Sequence, residues 1–544
     1  MTLLAAILFF ASPQSDAEAQ SPSPAAAAAA HARLYTEKNF PASQDCAVCH
    51  QRQFEQWRGS AHAQASLSPM FQLAARVAAH QGLEAVQRCS GCHLPAGRSG
   101  GLTALLSLDE LPRSARDGVG CVACHRVGEA FGRVNGERQL IPGGMFSAVF
   151  GPHDGAALHE VLGEAQKYGV ARSDAEPGRK VHLETVVFAP IRESDFCASC
   201  HQAELSPGVL HADVWSSHLR SPARKQGVSC QDCHMGSEPG RPSLRPLGAS
   251  AMVDARILNP SRRCSDHSFQ SAGTSVLHPG IYPAHRNSEL FTPAEWQLFD
   301  WRSEWGGAEF EADFEVGPKT LKFPLEWRSA RQRIDAATVV AANLKARAAA
   351  RLCRQALLEN GLKVGKLEFQ RAGEVLRIGI EVRAHEGHSF PAGAYLSAPE
   401  TWADLALIGA DGSCLWRSGG LDPQGRIEAE QLQAFHPEYF EASGAPASSP
   451  MLRPSDAPAA LSAVQAPLLK LDRRLAPGCS RRLSWTLPAK LIPAGGATLL
   501  FRMRSRPTSP QLAAAAGADA DLAARVASEI DDFARRELRL EAQL

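Results

Sequence analysis

The chain has no long run of charge of one sign: 57 Lys and Arg balance 57 Asp and Glu across 544 residues. This excludes a phosphate-tracking surface or an acidic tail, and nucleic acid is not an expected partner. No segment of 18 apolar residues occurs, so no integral membrane span is expected. No nucleophile-base pattern of the triad type is found either. Methionine is scarce, with 7 residues, against 19 histidines and 14 cysteines.

What is present begins with an apolar run, Leu3 to Ala11, followed by Ala17-Glu18-Ala19, the Ala-x-Ala form that a signal peptidase cleaves. No Lys or Arg precedes Leu3, which departs from the usual signal pattern. Residues 1–19 are nevertheless read as an export signal, so the protein is expected to be periplasmic or otherwise exported. The Ser/Pro/Ala-rich stretch that follows predicts a flexible linker over 20–40. With 44% apolar residues, the remainder is long enough for several packed domains.

Ten of the 14 cysteines fall in five copies of C-x-x-C-H: Cys46, Cys49, His50; Cys89, Cys92, His93; Cys121, Cys124, His125; Cys197, Cys200, His201; and Cys230, Cys233, His234. Two thiols three residues apart can add to the two vinyl groups of one haem while the adjacent imidazole reaches the iron. This composition predicts about a hundredth of one such pentapeptide by chance. Zinc ribbons also use C-x-x-C pairs, but they need no histidine after every second cysteine. Structural disulfides rarely take this spacing. Five covalently bound haem c groups are therefore expected. Cys264, Cys353, Cys414 and Cys479 stand outside the motifs; they read as buried thiols, with a Cys414–Cys479 pairing left open.

Each haem iron has a sixth position, and the few methionines favour a second histidine there. The segment from Gln51 to Ser66 reads as a helix with Phe54, Trp57 and Ala61 on one face. On that helix His62 would lie about 18 Å from His50, so it should serve a neighbouring haem.

H-Q followed by W-x-x-S-x-H-A (His50, Gln51, Trp57, Ser60, His62, Ala63), then G-V-G-C-V-A-C-H, then a second round with S-D-F-C-A-S-C-H-Q and G-V-S-C-Q-D-C-H-M, resembles the cytochrome c-554 type of multihaem cytochrome. That superfamily also contains hydroxylamine oxidoreductase and pentahaem nitrite reductase. Two halves that each end in Gly-Val-x-C-x-x-C-H suggest an internal duplication. The resemblance implies distal ligands at His62, His182, His218 and His267. It extends loosely to G-H-S-F-P, where it implies His388, with His385 as its substitute.

The expected architecture is a multidomain α+β chain. A mostly helical, loop-rich pentahaem cytochrome c domain (41–240) precedes a connecting segment with a long helix (241–365), an antiparallel β-sandwich (366–508) and a C-terminal helix (509–544). The long helix is predicted over 334–360, burying Ile334, Val339, Ala342, Ala346, Ala349 and Leu352, with Gly361 as its stop.

Cys46 to His234 leaves about 38 residues for each haem, so neighbouring rings should sit near contact and conduct electrons. The leading expectation is periplasmic electron transfer with redox partner proteins. The alternative is a redox enzyme with one open haem acting on a small nitrogen or sulfur compound. No C-x-x-C-K motif of the kind that holds the active haem in pentahaem nitrite reductase is present. A third reading has the sandwich recognise a redox partner.

Overall fold

The computed structural model describes residues 24–80, 82–102, 106–129, 134–206, 209–253, 256–258, 262–271, 273, 275–317, 322–393, 399–440 and 468–541. The expected export signal lies outside these residues. Residues 24–39 form a helix, Pro24–Asn39, where a flexible linker was expected. Alanine is the best helix former, and the helix is anchored by buried Thr36, whose hydroxyl donates to the Ala32 carbonyl and packs against Gly100.

Through the first half, secondary structure is short. Its apolar side chains form several small clusters, such as Phe40, Val122, Val127, Leu140, Phe188 and Phe196, or Phe71, Ala75, Val86 and Leu94. The helix after the first motif spans only Gln51–Arg58 and gives way to turns up to Leu67. Phe54 and Trp57 are buried as expected, but Ala61 is exposed and Ala63 is buried instead, because the helix ends at Gly59 and the face is lost.

The connecting segment carries an aromatic core of Trp296, Phe299, Trp305 and Trp327 against the long helix Ala330–Gly361. The predicted face of that helix needs correction: Ile334 and Leu352 are exposed, while Arg333, Ala336, Val339, Val340, Asn343, Arg354 and Leu358 are buried. Polar side chains hold the inner face because each finds a partner. Arg333 pairs with Glu311, Asn343 Nδ2 donates to the Pro279 and Tyr282 carbonyls, and Arg354 pairs with Asp531.

Among the described residues, seven strands then build the two main sheets, β1 (Leu362–Ala372), β2 (Val375–Ala384), β3 (Glu400–Gly409), β4 (Cys414–Ser418), β5 (Ser480–Pro488), β6 (Ala497–Arg506) and β7 (Asp531–Leu540), with the short Gln433–Ala434 added beside β3. They form two antiparallel sheets, β5-β2-β1 and β4-β3-β6-β7. One core fills the space between them, with Leu376, Ile378, Ile380, Val382, Leu483 and Trp485 from one sheet and Leu405, Leu407, Leu499, Phe501 and Met503 from the other. Burying each such side chain contributes about 1.5–3 kcal/mol.

The end of the chain is not the expected helix. Two short helices, Pro510–Ala515 and Ala520–Ser528, flank Gly517, and β7 then completes the second sheet. Arg and Glu alternate with Leu538 and Leu540 in β7, so the strand period holds, and Ala534 at φ 52° marks the bulge that offsets it from Phe533. Cys414 and Cys479 are exposed, separate thiols.

Candidate functional site

Four of the C-x-x-C-H motifs end on a turn of helix, within Leu83–His93, Val122–His125, Ala198–His201 and Cys230–His234, while the first runs from the end of the helix Ser43–Cys46 into a turn. One turn places residues three apart on the same side, so both thiols of a motif project together and the histidine follows at the helix end. Four motif histidines engage a main-chain carbonyl through Nδ1: His50 with Ser250 (2.8 Å), His93 with Ala65 (3.0 Å), His125 with Phe150 (2.9 Å) and His234 with Gln270 (2.7 Å). Donation from Nδ1 fixes the tautomer and leaves the Nε2 lone pair for a metal.

Second imidazoles stand opposite the first. His182 faces His50 with ring centroids 6.4 Å apart and planes 9° from parallel, and His388 faces His234 at 6.3 Å and 11°. His62 faces His201 at 6.4 Å, tilted by 52°. Metal–imidazole bonds of about 2.0–2.1 Å on opposite sides of one iron would place two ring centroids about 6.3 Å apart. His267 lies near His125, close enough to disfavour its charging, and is itself held by Nδ1 to the Ser265 carbonyl. His182 and His388 are held in the same way by the Glu184 and Ser389 carbonyls.

His218, expected among the distal ligands, is elsewhere. It is buried, with Nδ1 on the Gly387 carbonyl and Nε2 on Ser194 Oγ, so both nitrogens are engaged and neither faces a motif histidine. The imidazole near His93 is His211, which sequence reasoning missed. It lies on Val209–Asp213, the second strand of a hairpin with Gln202–Ser206, and no spacing rule links it to a motif 118 residues earlier. His385 is packed edge-on to His388, with centroids 4.5 Å apart, and its Nδ1 accepts the Gly387 N–H.

Burial holds these side chains in the neutral form that metal binding requires. It lowers His182, His201, His211, His267 and His385 to about 4 and His62 to about 3, and it drives His388 well below the ordinary value.

A duplicated device appears where the halves begin. Ser43 Oγ accepts the Cys121 N–H at 3.2 Å, and Ser194 Oγ accepts the Cys230 N–H at 3.1 Å. Each serine lies three residues before the first cysteine of its own half and clamps the Gly-Val motif that closes that half. The thiols repeat the pairing, Cys46 meeting Cys121 and Cys197 meeting Cys230. Cys92 meets Cys200, and Cys124 lies beside Cys197 and Cys200.

The residues fit haem. A facing pair of imidazoles could hold an iron between them, and paired thiols stand beside each motif histidine, where they could anchor a haem that would supply redox chemistry. Among the described residues, no group of three or more His, Cys, Asp and Glu converges as an ion-binding cluster. No helix among them is long and apolar enough to cross a membrane.

Residues 45–126 match the family described as cytochrome c554 and c-prime. Cytochrome c-554 of Nitrosomonas europaea is 32% identical over 105 residues, which are 18% of this chain and 43% of that protein. This chain thus spans less than half the length of that relative. The fold is similar to that of a penta-heme cytochrome c552 from Thermochromatium tepidum, with a TM-score of 0.51 and 18% identity, covering 92% of this chain and 98% of the other.

Proposed function

This chain is a multihaem c-type cytochrome, and we propose that it is an exported electron carrier with five haems, each held between a motif histidine and a second histidine. The observation that carries this reading is that every motif histidine has an imidazole close to it. The pairs are His50/His182, His93/His211, His125/His267, His201/His62 and His234/His388. The haems supply reversible one-electron chemistry when bound. The chain anchors them through Cys46, Cys49, Cys89, Cys92, Cys121, Cys124, Cys197, Cys200, Cys230 and Cys233, keeps their imidazoles neutral and shields them from water.

Contacts between thiols of different motifs give an order for the array. The first motif adjoins the third, the third adjoins the fourth, and the fourth adjoins both the second and the fifth. Residues 41–240 form the haem domain, to which the connecting segment lends His267 and the sandwich His388. Redox partner proteins exchange electrons with the ends of the array, outside the cytoplasm if residues 1–19 direct export.

Electron paramagnetic resonance of the oxidised protein, followed by carbon monoxide addition after reduction, tests this reading. Five low-spin haems that are indifferent to carbon monoxide are expected. A high-spin haem that binds carbon monoxide would overturn the carrier reading in favour of catalysis.

A further inference from the structure

Arg138 lies between the third and fourth attachment motifs. Its Nη1 donates to the Ala123 carbonyl inside C-V-A-C-H at 3.2 Å. Its Nε donates to Ser199 Oγ inside C-A-S-C-H at 3.2 Å, and its Nη2 to the Phe196 carbonyl just before that motif. The guanidinium also covers the Phe196 ring, 4.0 Å from its centroid. Every one of these acceptors is neutral, and among the described residues no carboxylate lies within ion-pair distance. The charge acts on the Cys124, Cys197 and Cys200 thiols and on the His62 and His201 rings. A c-type haem carries its propionates on the edge away from its thioether bonds, so the propionates of these two haems would not neutralise a cation placed here.

The same motif differs in its ligands. Both rings of the His50/His182, His125/His267 and His234/His388 pairs are tied through Nδ1 to main-chain carbonyls. His62 Nδ1 is buried against Phe269, 4.4 Å between ring centroids, and has no acceptor. The His201 ring makes no hydrogen bond among the described residues.

Reduction adds one electron and removes one positive charge from the iron centre. A fixed cation nearby favours the reduced form. An imidazole without an Nδ1 acceptor is the weaker base and stabilises ferric iron less. Both effects have the same sign at one place.

We propose that the haem attached at Cys197 and Cys200 has the highest midpoint potential of the five, set by Arg138 and by the acceptor-free His62/His201 pair. This rests on the five-haem reading. It makes the junction of the array, where the fourth motif adjoins the second, third and fifth, the place where the first electron supplied by a one-electron donor comes to rest.

The test is a potentiometric titration of the haem-loaded protein with dithionite, followed by electron paramagnetic resonance. The low-spin signal of this haem is identified as the one that His62→Ala removes. In the unaltered protein that signal should disappear first on reduction. In Arg138→Gln its reduction equilibrium should fall at least tenfold, 59 mV for one electron, and Arg138→Lys should restore most of it. Disappearance of that signal after another haem's would overturn the proposal, as would an unmoved midpoint in Arg138→Gln with five haems attached. The first criterion needs no Arg138 variant to fold. Fewer than five haems per chain by pyridine haemochromogen would instead sink the five-haem reading.

Discussion

Asp213 and Arg474 meet in a buried, two-pronged ion pair, Oδ1 to Nη1 at 2.9 Å and Oδ2 to Nη2 at 2.6 Å. Asp213 ends the strand that carries His211, and Arg474 belongs to the sandwich, where it also holds Asp472 at 2.6 Å. The pair therefore joins the haem-bearing half to the β-sheets. Removing one partner leaves a buried, uncompensated charge, at a cost of about 3–5 kcal/mol. Arg474→Met should lower the denaturation midpoint by that equivalent, and adding Asp213→Asn should recover part of it. A neutral effect of Arg474→Met alone in a urea titration would show that the interface is held by other contacts.

His388 reaches His234 from a loop that is bound to the haem half at several points. Ser217 Oγ and Ser389 Oγ are 2.9 Å apart, the Ser389 N–H donates to Ser217 Oγ at 2.8 Å, and the Ala223 N–H donates to the Glu386 carbonyl at 3.2 Å. His388→Ala should open one sixth position, giving a high-spin signal from one haem and carbon monoxide binding to it. The neighbouring His385 hydrogen-bonds the Gly387 N–H and should not replace it; a fully low-spin His388→Ala protein would show that it does.

The choice between His211 and His218 is equally direct. His211→Ala should produce one haem that binds carbon monoxide. His218→Ala should leave all five low-spin, although losing the hydrogen bonds to Gly387 and Ser194 should cost about 1–3 kcal/mol of stability. The reverse pattern of carbon monoxide binding would restore His218 to the ligand set.

The C-x-x-C-H motifs stand out in the sequence because haem attachment is a local chemical pattern, contained in five residues. His62 was assigned to a neighbouring haem from helix length alone, and it does face His201, although the helix it was placed on stops at Arg58. His211 was not legible: a hairpin brings it to a motif distant in sequence, and W-S-S-H at Trp215 to His218 offered a nearer match to the first half. The inner face of the long helix was misread because Arg333, Asn343 and Arg354 look like solvent residues until their partners in other elements are known. The last strand was misread as a helix because its alternation of Arg, Glu and Leu is interrupted by a bulge at Ala534 and gains meaning only from pairing with β6.

Asp117 should give the proposed array a pH dependence. Its Oδ2 accepts the Ser43 N–H at 2.5 Å, and burial pushes its carboxyl up to about 6 against the opposing pull of that hydrogen bond. Its charge acts on Cys46 and Cys121, so it stands where the first and third motifs meet. Below pH 6 the group is neutral; above it, an anion lies beside both attachment sites and favours the oxidised iron. The midpoints of those two haems should therefore fall as pH rises from 5 to 7, by no more than about 59 mV per pH unit for one proton and one electron. Because the folded value lies above the unfolded value of about 3.9, the stability this group contributes is complete below pH 3.9 and is lost as pH rises through 6. Asp117→Asn should flatten both profiles between pH 5 and 7. Spectroelectrochemical titrations at three pH values in that window, on the unaltered protein and the variant, decide the matter: parallel slopes in the two would remove Asp117 as the coupled group.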